Sequence, residues 1–231
     1  MSSCTPYTED DDRNVGKYSD HVSVWLDSHI GEPENNRELK ALFRKITQPL
    51  ETLTTAEANI DEPIMLDDVV LRSLQETVYR LEIFDKEDTC LEFIHANGDK
   101  QIFFISSGSM GREIVPKIAD LSQLKSIFIF CGDISHNSVW AMDYQEKIMA
   151  MVTHQDDLLL HLTKCIAEYL KNKGDVYMNN DEIFKAKNCF AWSKKLLLRA
   201  EQYGHTRLRN ELKNIEDKIL WAETGQASYC A

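Results

Sequence analysis

Short apolar runs alternate with helical patterns along the first two thirds of the chain. Five runs are short, rich in β-branched and aromatic residues and bounded by polar ones, so we predict strands at residues 21–28, 80–85, 100–107, 124–133 and 146–154. Helical spacing appears between them, at residues 34–46, 66–79, 88–97 and 112–121. Continuously apolar strands that alternate with helices are typical of a parallel sheet covered on both faces. We therefore predict an α/β domain over residues 20–154, with a small five-stranded parallel sheet of flavodoxin or receiver type.

The pattern becomes purely helical after residue 154. Three long amphipathic segments, at residues 155–178, 180–204 and 205–225, predict a helical tail over residues 155–225. A spaced set within the first two segments matches the small and large positions of a tetratricopeptide repeat: Leu170, Gly174, Tyr177, Ala186 and Phe190. The match is partial, because Lys173, Ser193 and Leu198 replace the usual residues. The alternatives are a tetratricopeptide-like hairpin, followed by a third helix, or a helical hairpin of another kind.

Composition narrows the classes of function. The chain has 231 residues and a formal net charge of −12, with a pI near 5.0, which argues against a nucleic-acid partner. Its six cysteines are scattered without a C-x-x-C pair, and no apolar stretch reaches the roughly 20 residues that span a bilayer. A cytoplasmic protein with free thiols and no membrane partner is expected. Residues 1–19, which are polar and acidic, and residues 226–231 are predicted to be disordered.

Three stretches carry a resemblance to a known type of domain. They are "VWLDSHI" at residues 24–30, the segment over residues 103–133, and a set of spaced residues downstream: His136, Trp140, Ala141, Tyr144, Lys147 and Ile148. Residues 21–155 resemble the receiver-like N-terminal domain of invertebrate multidomain proteins, which continue into tetratricopeptide repeats and, often, an arginine-type ADP-ribosyltransferase domain. The resemblance implies no catalytic residue for this region.

The remainder of the chain departs from that family. One repeat-like hairpin follows the α/β domain where the family has an array. A transferase of the arginine type also needs a C-terminal E-x-E motif, and the E-x-E in this sequence is Glu32-Pro33-Glu34, near the N-terminus. We therefore expect no transferase activity from this polypeptide.

Candidate ligand-binding residues follow the strands, because open parallel sheets bind ligands at the carboxyl ends of their strands. The predicted set is Asp27, Ser106, Ser107, Gly108, Ser109, Gly111 and Asp133. The cluster at residues 106–111 joins a strand to a helix and offers backbone N–H groups and hydroxyls to an anion. It lacks both G-x-G-x-x-G and the Walker sequence, and Pro116 is expected to shorten or kink the helix. The other interpretation is a tight βα turn in which Ser caps the helix.

Other chemistries fit less well. An aspartyl-phosphate receiver needs paired acids after the first strand and an Asp after the third, whereas Asp27 stands alone and the third strand ends in serines. Ser109, Asp133 and His154 follow the order of a hydrolase triad, but the first Gly of the nucleophile elbow is replaced by Ser107. Asp157, His161 and Cys165 share a helix face and are too few for a metal site, so no metal is expected.

The sequence thus favours a non-enzymatic interaction or signalling module. Its helical tail is expected to bind a protein partner or a second copy of the chain, with no cofactor. The alternative is a nucleotide- or NAD-related enzyme or binding domain, associated with ADP-ribosyltransferase chemistry, that uses Asp27 and the Ser/Gly loop at the carboxyl edge of the sheet.

Overall fold

The computed structural model describes residues 20–29, 78–204 and 208–224. The terminal segments predicted to be disordered, 1–19 and 226–231, lie outside the described residues. So do the predicted helix at 34–46 and all but the last two residues of the predicted helix at 66–79.

All five predicted strands form one parallel sheet. Their bounds are β1 His21–Leu26, β2 Leu81–Phe84, β3 Gln101–Ser107, β4 Leu124–Phe130 and β5 Ile148–Val152. The order across the sheet is β2-β1-β3-β4-β5, and each of the four neighbouring pairs is parallel. The prediction of an α/β domain with a five-stranded parallel sheet is confirmed.

Helices connect the strands and continue beyond the last one. They are α1 Glu87–Ala96, α2 Gly108–Ile118, α3 Ile134–Ala141, α4 Gln155–Asn179, α5 Ile183–Gly204 and α6 Arg209–Thr224, with a 3-10 turn at Met142–Tyr144. The predicted helix at 112–121 in fact begins at Gly108, directly after β3, so the Ser/Gly cluster is not a loop. Pro116 lies inside α2, which continues to Ile118.

The core explains why the strands are continuously apolar. One face of the sheet packs on α1 and α2, through side chains that include Val24, Phe104, Ile127, Cys90 and Ile114. On the opposite face, Trp25, Phe103 and Phe128 are no more than 2% exposed. Because the side chains of a strand alternate between its two faces, burial of both faces requires apolar residues at successive positions.

Two β-bulges break this alternation. Ile102 pairs with Leu124 and Phe103 with Ser126, which leaves Lys125 as an extra residue in β4. Ile127 pairs with Ile148 and Phe128 with Ala150, which leaves Met149 as an extra residue in β5. Each bulge inverts the facing of the residues that follow it. As a result Lys125 is exposed, and Met149 is 54% exposed on the last strand of the sheet.

The chain divides into two compact units. The first covers Asp20–Leu158, and the second contains the described residues from Leu159 onwards, which are most of α4 together with α5 and α6. Within the helical unit, Ser193 Oγ donates to the carbonyl of Ala167 at 2.8 Å, and a Cβ on Gly174 would lie 2.4 Å from the Phe190 ring. The contact partner in α5 moves back from Ser193 to Phe190 as the position in α4 advances from Ala167 to Gly174, so the two helices are antiparallel. Helix α6 packs on α5, where Lys194 and Glu216 form an ion pair at 2.8 Å.

Candidate functional site

The carboxyl ends of β1 and β3 mark the topological switch point of the sheet, where the order of the strands reverses. The chain goes from β1 to β2 on one side and from β3 to β4 on the other. In open α/β sheets, ligands bind outside the carboxyl ends of the strands at such a point. Leu26 at the end of β1 pairs with Ser106 of β3. The residues that follow this pair are Asp27 and Ser107, and both lie on the face of the sheet opposite to Leu26 and Ser106.

Asp27 is held by its own turn. Its carboxylate oxygen Oδ1 accepts a hydrogen bond from the backbone N–H of His29 at 2.9 Å, and its own N–H donates to the carbonyl of Phe84 at 3.0 Å. The residue is only 5% exposed. A buried carboxylate that accepts a hydrogen bond from the backbone is held in one position at the carboxyl end of β1.

Ser106 and Ser107 point to opposite faces and behave differently. Ser106 is fully buried, and its Oγ donates to the carbonyl of Ser107 at 3.1 Å. Ser107 occupies the N-cap position of α2, but its side chain makes no capping hydrogen bond, so the predicted capping role is wrong. The Ser107 Oγ is buried and has no hydrogen-bond partner among the described residues. Such a hydroxyl costs stability unless a ligand or water satisfies it.

The two glycines of the cluster are required by packing. A Cβ on Gly108 would lie 2.6 Å from Asn137 Nδ2, and one on Gly111 would lie 3.0 Å from Ile129 Cδ1 and 3.3 Å from the Trp140 ring. Both contacts involve residues well removed in the sequence. The glycines therefore permit close approach of α2 to α3 and β4, which is sufficient to explain them without a phosphate.

Asn137 connects this packing to the start of α3, and the sequence pattern gave no signal for it. Its Nδ2 donates to the carbonyl of Asp133 at 2.8 Å, while its Oδ1 accepts from Trp140 Nε1 at 3.2 Å. Asp133 caps α3, because its Oδ1 accepts the N–H of His136 at 2.9 Å. Asp133 is therefore occupied by a structural contact, although it is exposed.

Ser109 belongs to a different surface from Asp27. It is exposed in the first turn of α2, three residues before Arg112. Arg112 is also exposed, and its Nη2 donates to His136 Nε2 at 2.7 Å across the α2–α3 gap. Of the predicted ligand set, Asp27 and Ser107 lie at the ends of neighbouring strands, whereas Gly108, Gly111 and Asp133 contribute to the packing around α2 and α3. Arg112 was missed as a candidate residue.

A second polar feature lies deeper in the sheet. His21 and Ser23 share the Asp27 face of β1 and are fully buried. His21 Nε2 lies 2.6 Å from the carbonyl of Val78, to which it donates. Burial lowers the pKa of His21 to about 4, and the hydrogen bond to Val78 opposes this change without cancelling it. The imidazole is therefore neutral near pH 7 and acts as a structural donor.

The thiols and metal-binding side chains of the described residues offer little chemistry. Burial raises the pKa of Cys90 to about 12, and burial also raises the pKa of Cys131 at the end of β4. A raised pKa reduces the thiolate that reacts or binds metal. Within the described ranges, no three His, Cys, Asp or Glu side chains are grouped to hold a metal ion. Likewise, none of the described helices is both long and apolar enough to span a membrane.

Comparison with known proteins finds no matching family model, no matching curated protein and no matching solved structure. The function is therefore inferred from the fold and from the surfaces of the two units. The carboxyl ends of β1 and β3 carry a positioned carboxylate, Asp27, and a buried hydroxyl, Ser107, which are groups that can hold a polar ligand.

Proposed function

We propose that the chain is a non-enzymatic interaction or signalling module of the cytoplasm and that its helical unit binds a protein partner. The observation that carries this proposal is the apolar surface of that unit. Val176 is 53% exposed and Phe184 is 55% exposed, with Ile183 at 37% beside it. Exposed apolar side chains that cluster are typical of protein-binding surfaces.

These side chains lie at one end of the hairpin. Val176 is in the last turn of α4, and Ile183 and Phe184 are in the first turn of α5, so the antiparallel arrangement brings them to the same end. Tyr177 is adjacent, with Lys185 Nζ 5.3 Å from its ring centroid. Aromatic and aliphatic groups with basic neighbours supply both the buried anchor and the polar rim that interfaces need.

The proposal includes a tetratricopeptide-like hairpin. Leu170, Ala186 and Phe190 are fully buried, and Gly174 allows the Phe190 ring to approach α4. This is the arrangement in which a small residue permits close helix packing. A single such hairpin buries its faces only against other elements, which favours binding to another surface.

The proposal also includes a flavodoxin- or receiver-like sheet in a protein of the resembling invertebrate family. The strand order β2-β1-β3-β4-β5 is the order of that sheet type. The region of resemblance, residues 21–155, nearly coincides with the first compact unit. Two of the residues that carry the resemblance pack together, since the Trp140 and Tyr144 ring centroids are 6.5 Å apart.

The test compares two matched surface variants of the full chain. Phe184→Ser removes an exposed aromatic from the helical unit, and Val139→Ser removes an apolar side chain that is 77% exposed in the first unit. Both variants are expected to fold, because exposed substitutions usually change stability by about 0.5 kcal/mol or less. Each serves as bait in an extract of the source organism, and sedimentation velocity tests for a second copy.

Loss of a captured partner, or of a dimer, with Phe184→Ser but not with Val139→Ser is the expected result. If both variants retain everything that the wild type binds, the surface at the end of the hairpin is not the binding surface. If the wild type binds neither a protein nor itself, the module has no such partner.

A second candidate function is a nucleotide- or NAD-related binding domain or enzyme. The observation that favours it is the Ser107 hydroxyl, which is buried and has no hydrogen-bond partner within the described chain, at the end of β3 beside the end of β1. A thermal-shift screen with nucleotides and NAD tests it, because a ligand at 100 times its Kd adds about 2.7 kcal/mol of stability. Ser107→Ala and Asp27→Asn are expected to reduce the shift, and unchanged shifts in both would reject this site.

A further inference from the structure

We propose that Arg112 and His136 form a binding site for a phosphate monoester, on the surface between α2 and α3. The carrying observation is the direct contact between two basic side chains, with Arg112 Nη2 2.7 Å from His136 Nε2. Both residues are exposed at the carboxyl edge of the sheet, near the first turns of their helices. A ligand can therefore reach them from solvent.

The contact is unusual for this chain, in which 38 acidic residues outnumber 26 lysines and arginines. Among the described residues, His136 is the only side chain that accepts a hydrogen bond from the Arg112 guanidinium. An arginine carries five donors and no acceptor, so the guanidinium is the donor in this contact. The contact uses one of these five donors and leaves the others for a ligand.

The surroundings fit an anion with several acceptor oxygens. Ser109 is exposed three residues before Arg112, which places it on the same side of α2 and adds a hydroxyl donor. A guanidinium binds phosphate oxygens in a bidentate manner, and imidazole and hydroxyl groups complete such sites. A phosphate monoester presents three terminal oxygens, which matches donors from three side chains.

Two acidic groups oppose the anion. Asp133 begins α3, but one of its oxygens accepts the backbone N–H of His136 and so shares its charge with the helix. Glu113 follows Arg112 on α2 and lies near the Lys117 ammonium, which is itself ion-paired with Glu87. Neither acid forms an ion pair with Arg112 or with the His136 ring. The local charge therefore still permits an anion at the pair.

This inference goes beyond both candidate functions, because neither uses Arg112 or His136. The helical unit does not take part in the site. The nucleotide-binding candidate depends on Asp27 and Ser107, at the carboxyl ends of β1 and β3, whereas this site depends on α2 and α3. Its failure can therefore be distinguished from failure of the proposed function.

The experiment titrates the ¹⁵N-labelled full chain with inorganic phosphate at constant ionic strength, and then with AMP and with adenosine. Saturable shifts of the Ser109, Arg112 and His136 signals are expected with phosphate and AMP, and no such shifts with adenosine. Arg112→Gln should weaken binding about tenfold or more, since a charged hydrogen bond is lost. Arg112→Lys keeps the positive charge but loses the bidentate guanidinium, so its affinity for phosphate should lie between those of the wild type and Arg112→Gln.

Lys117→Gln is the control for net charge, because it removes a positive charge from an exposed position of the same helix, where Lys117 is paired with Glu87 and not with a group of the site. It should bind phosphate as the wild type does. Asp133→Asn should bind phosphate more tightly, because it removes an acidic group that opposes the anion, while Asn still caps the helix. Equal weakening by Lys117→Gln and Arg112→Gln would mean that only net charge matters, and would overturn the site. Shifts that do not saturate, or that appear around Asp27 and Ser107 instead, would also overturn it.

Discussion

Replacing His21 tests whether one buried imidazole makes the first unit sensitive to acid. His21 is fully buried in β1, and burial lowers its pKa from 6.5 to about 4. The unfolded chain therefore takes up a proton on this side chain at a higher pH than the folded chain does. Stability should be unaffected above about pH 6.5 and should fall as the pH drops from 6.5 towards 4.

The magnitude follows from the two pKa values. The two pKa values differ by about 2.5, which corresponds to a loss of about 3 kcal/mol in the free energy of unfolding, because each pKa unit is worth about 1.4 kcal/mol. At pH 5 most of this loss has already occurred, about 2 kcal/mol relative to pH 7. Total stabilities are commonly about 5–15 kcal/mol, so the change is large enough to measure.

His21→Gln removes the titration and keeps a neutral N–H donor for the carbonyl of Val78. Urea unfolding at pH 7 and pH 5 is followed through the NMR signal of the Trp25 indole, which is buried in the same strand. The variant should lose about 2 kcal/mol less than the wild type between the two pH values. His154→Gln, which removes an exposed imidazole, is the control. If the wild type and His21→Gln lose the same free energy, burial of His21 does not cause acid sensitivity.

Three further predictions concern single contacts. Gly174→Ala should destabilise the helical unit by about 1–3 kcal/mol in urea unfolding, because the new Cβ would overlap the fully buried Phe190 ring. Gly132→Ala is the control and should be nearly neutral, because a Cβ at Gly132 would meet open space. Ser193→Ala should cost about 1 kcal/mol in the same assay through loss of its hydrogen bond to α4. Cys90 should resist iodoacetamide at pH 8 until urea unfolds the chain, because its pKa is raised to about 12, and mass spectrometry of the peptide would reveal early labelling.

The strands could be predicted from sequence because burial on both faces leaves a direct record in the residues. Phe103, Phe104 and Ile105 are successive apolar residues, and only a strand covered on each side buries all three. The bulges could not be predicted for the same reason. In β5 every residue is apolar, so the sequence shows no alternation of apolar and polar positions that the extra residue Met149 would interrupt.

The candidate site was less predictable because its contacts join distant segments. The Ser/Gly cluster was interpreted as a loop that could bind an anion or form a tight turn. Gly108 is instead needed for the approach of Asn137, 29 positions later, and this pairing has no local signature. Arg112 and His136 were likewise too far apart for spacing to join them. The contact between Gly174 and Phe190 was easier to predict, because both residues belong to a spaced set on two neighbouring helical segments.

The position of β1 in the sheet has a consequence for synthesis of the chain. This strand is the first described element, yet it lies between β2 and β3, so its partners are translated later and its second partner ends only at Ser107. Pairings that span so much sequence form slowly, because a long loop must close first. A nascent chain therefore carries the apolar residues of β1 without their final neighbours while the 81 residues from 27 to 107 are added, and chaperone binding during that interval would protect it from aggregation.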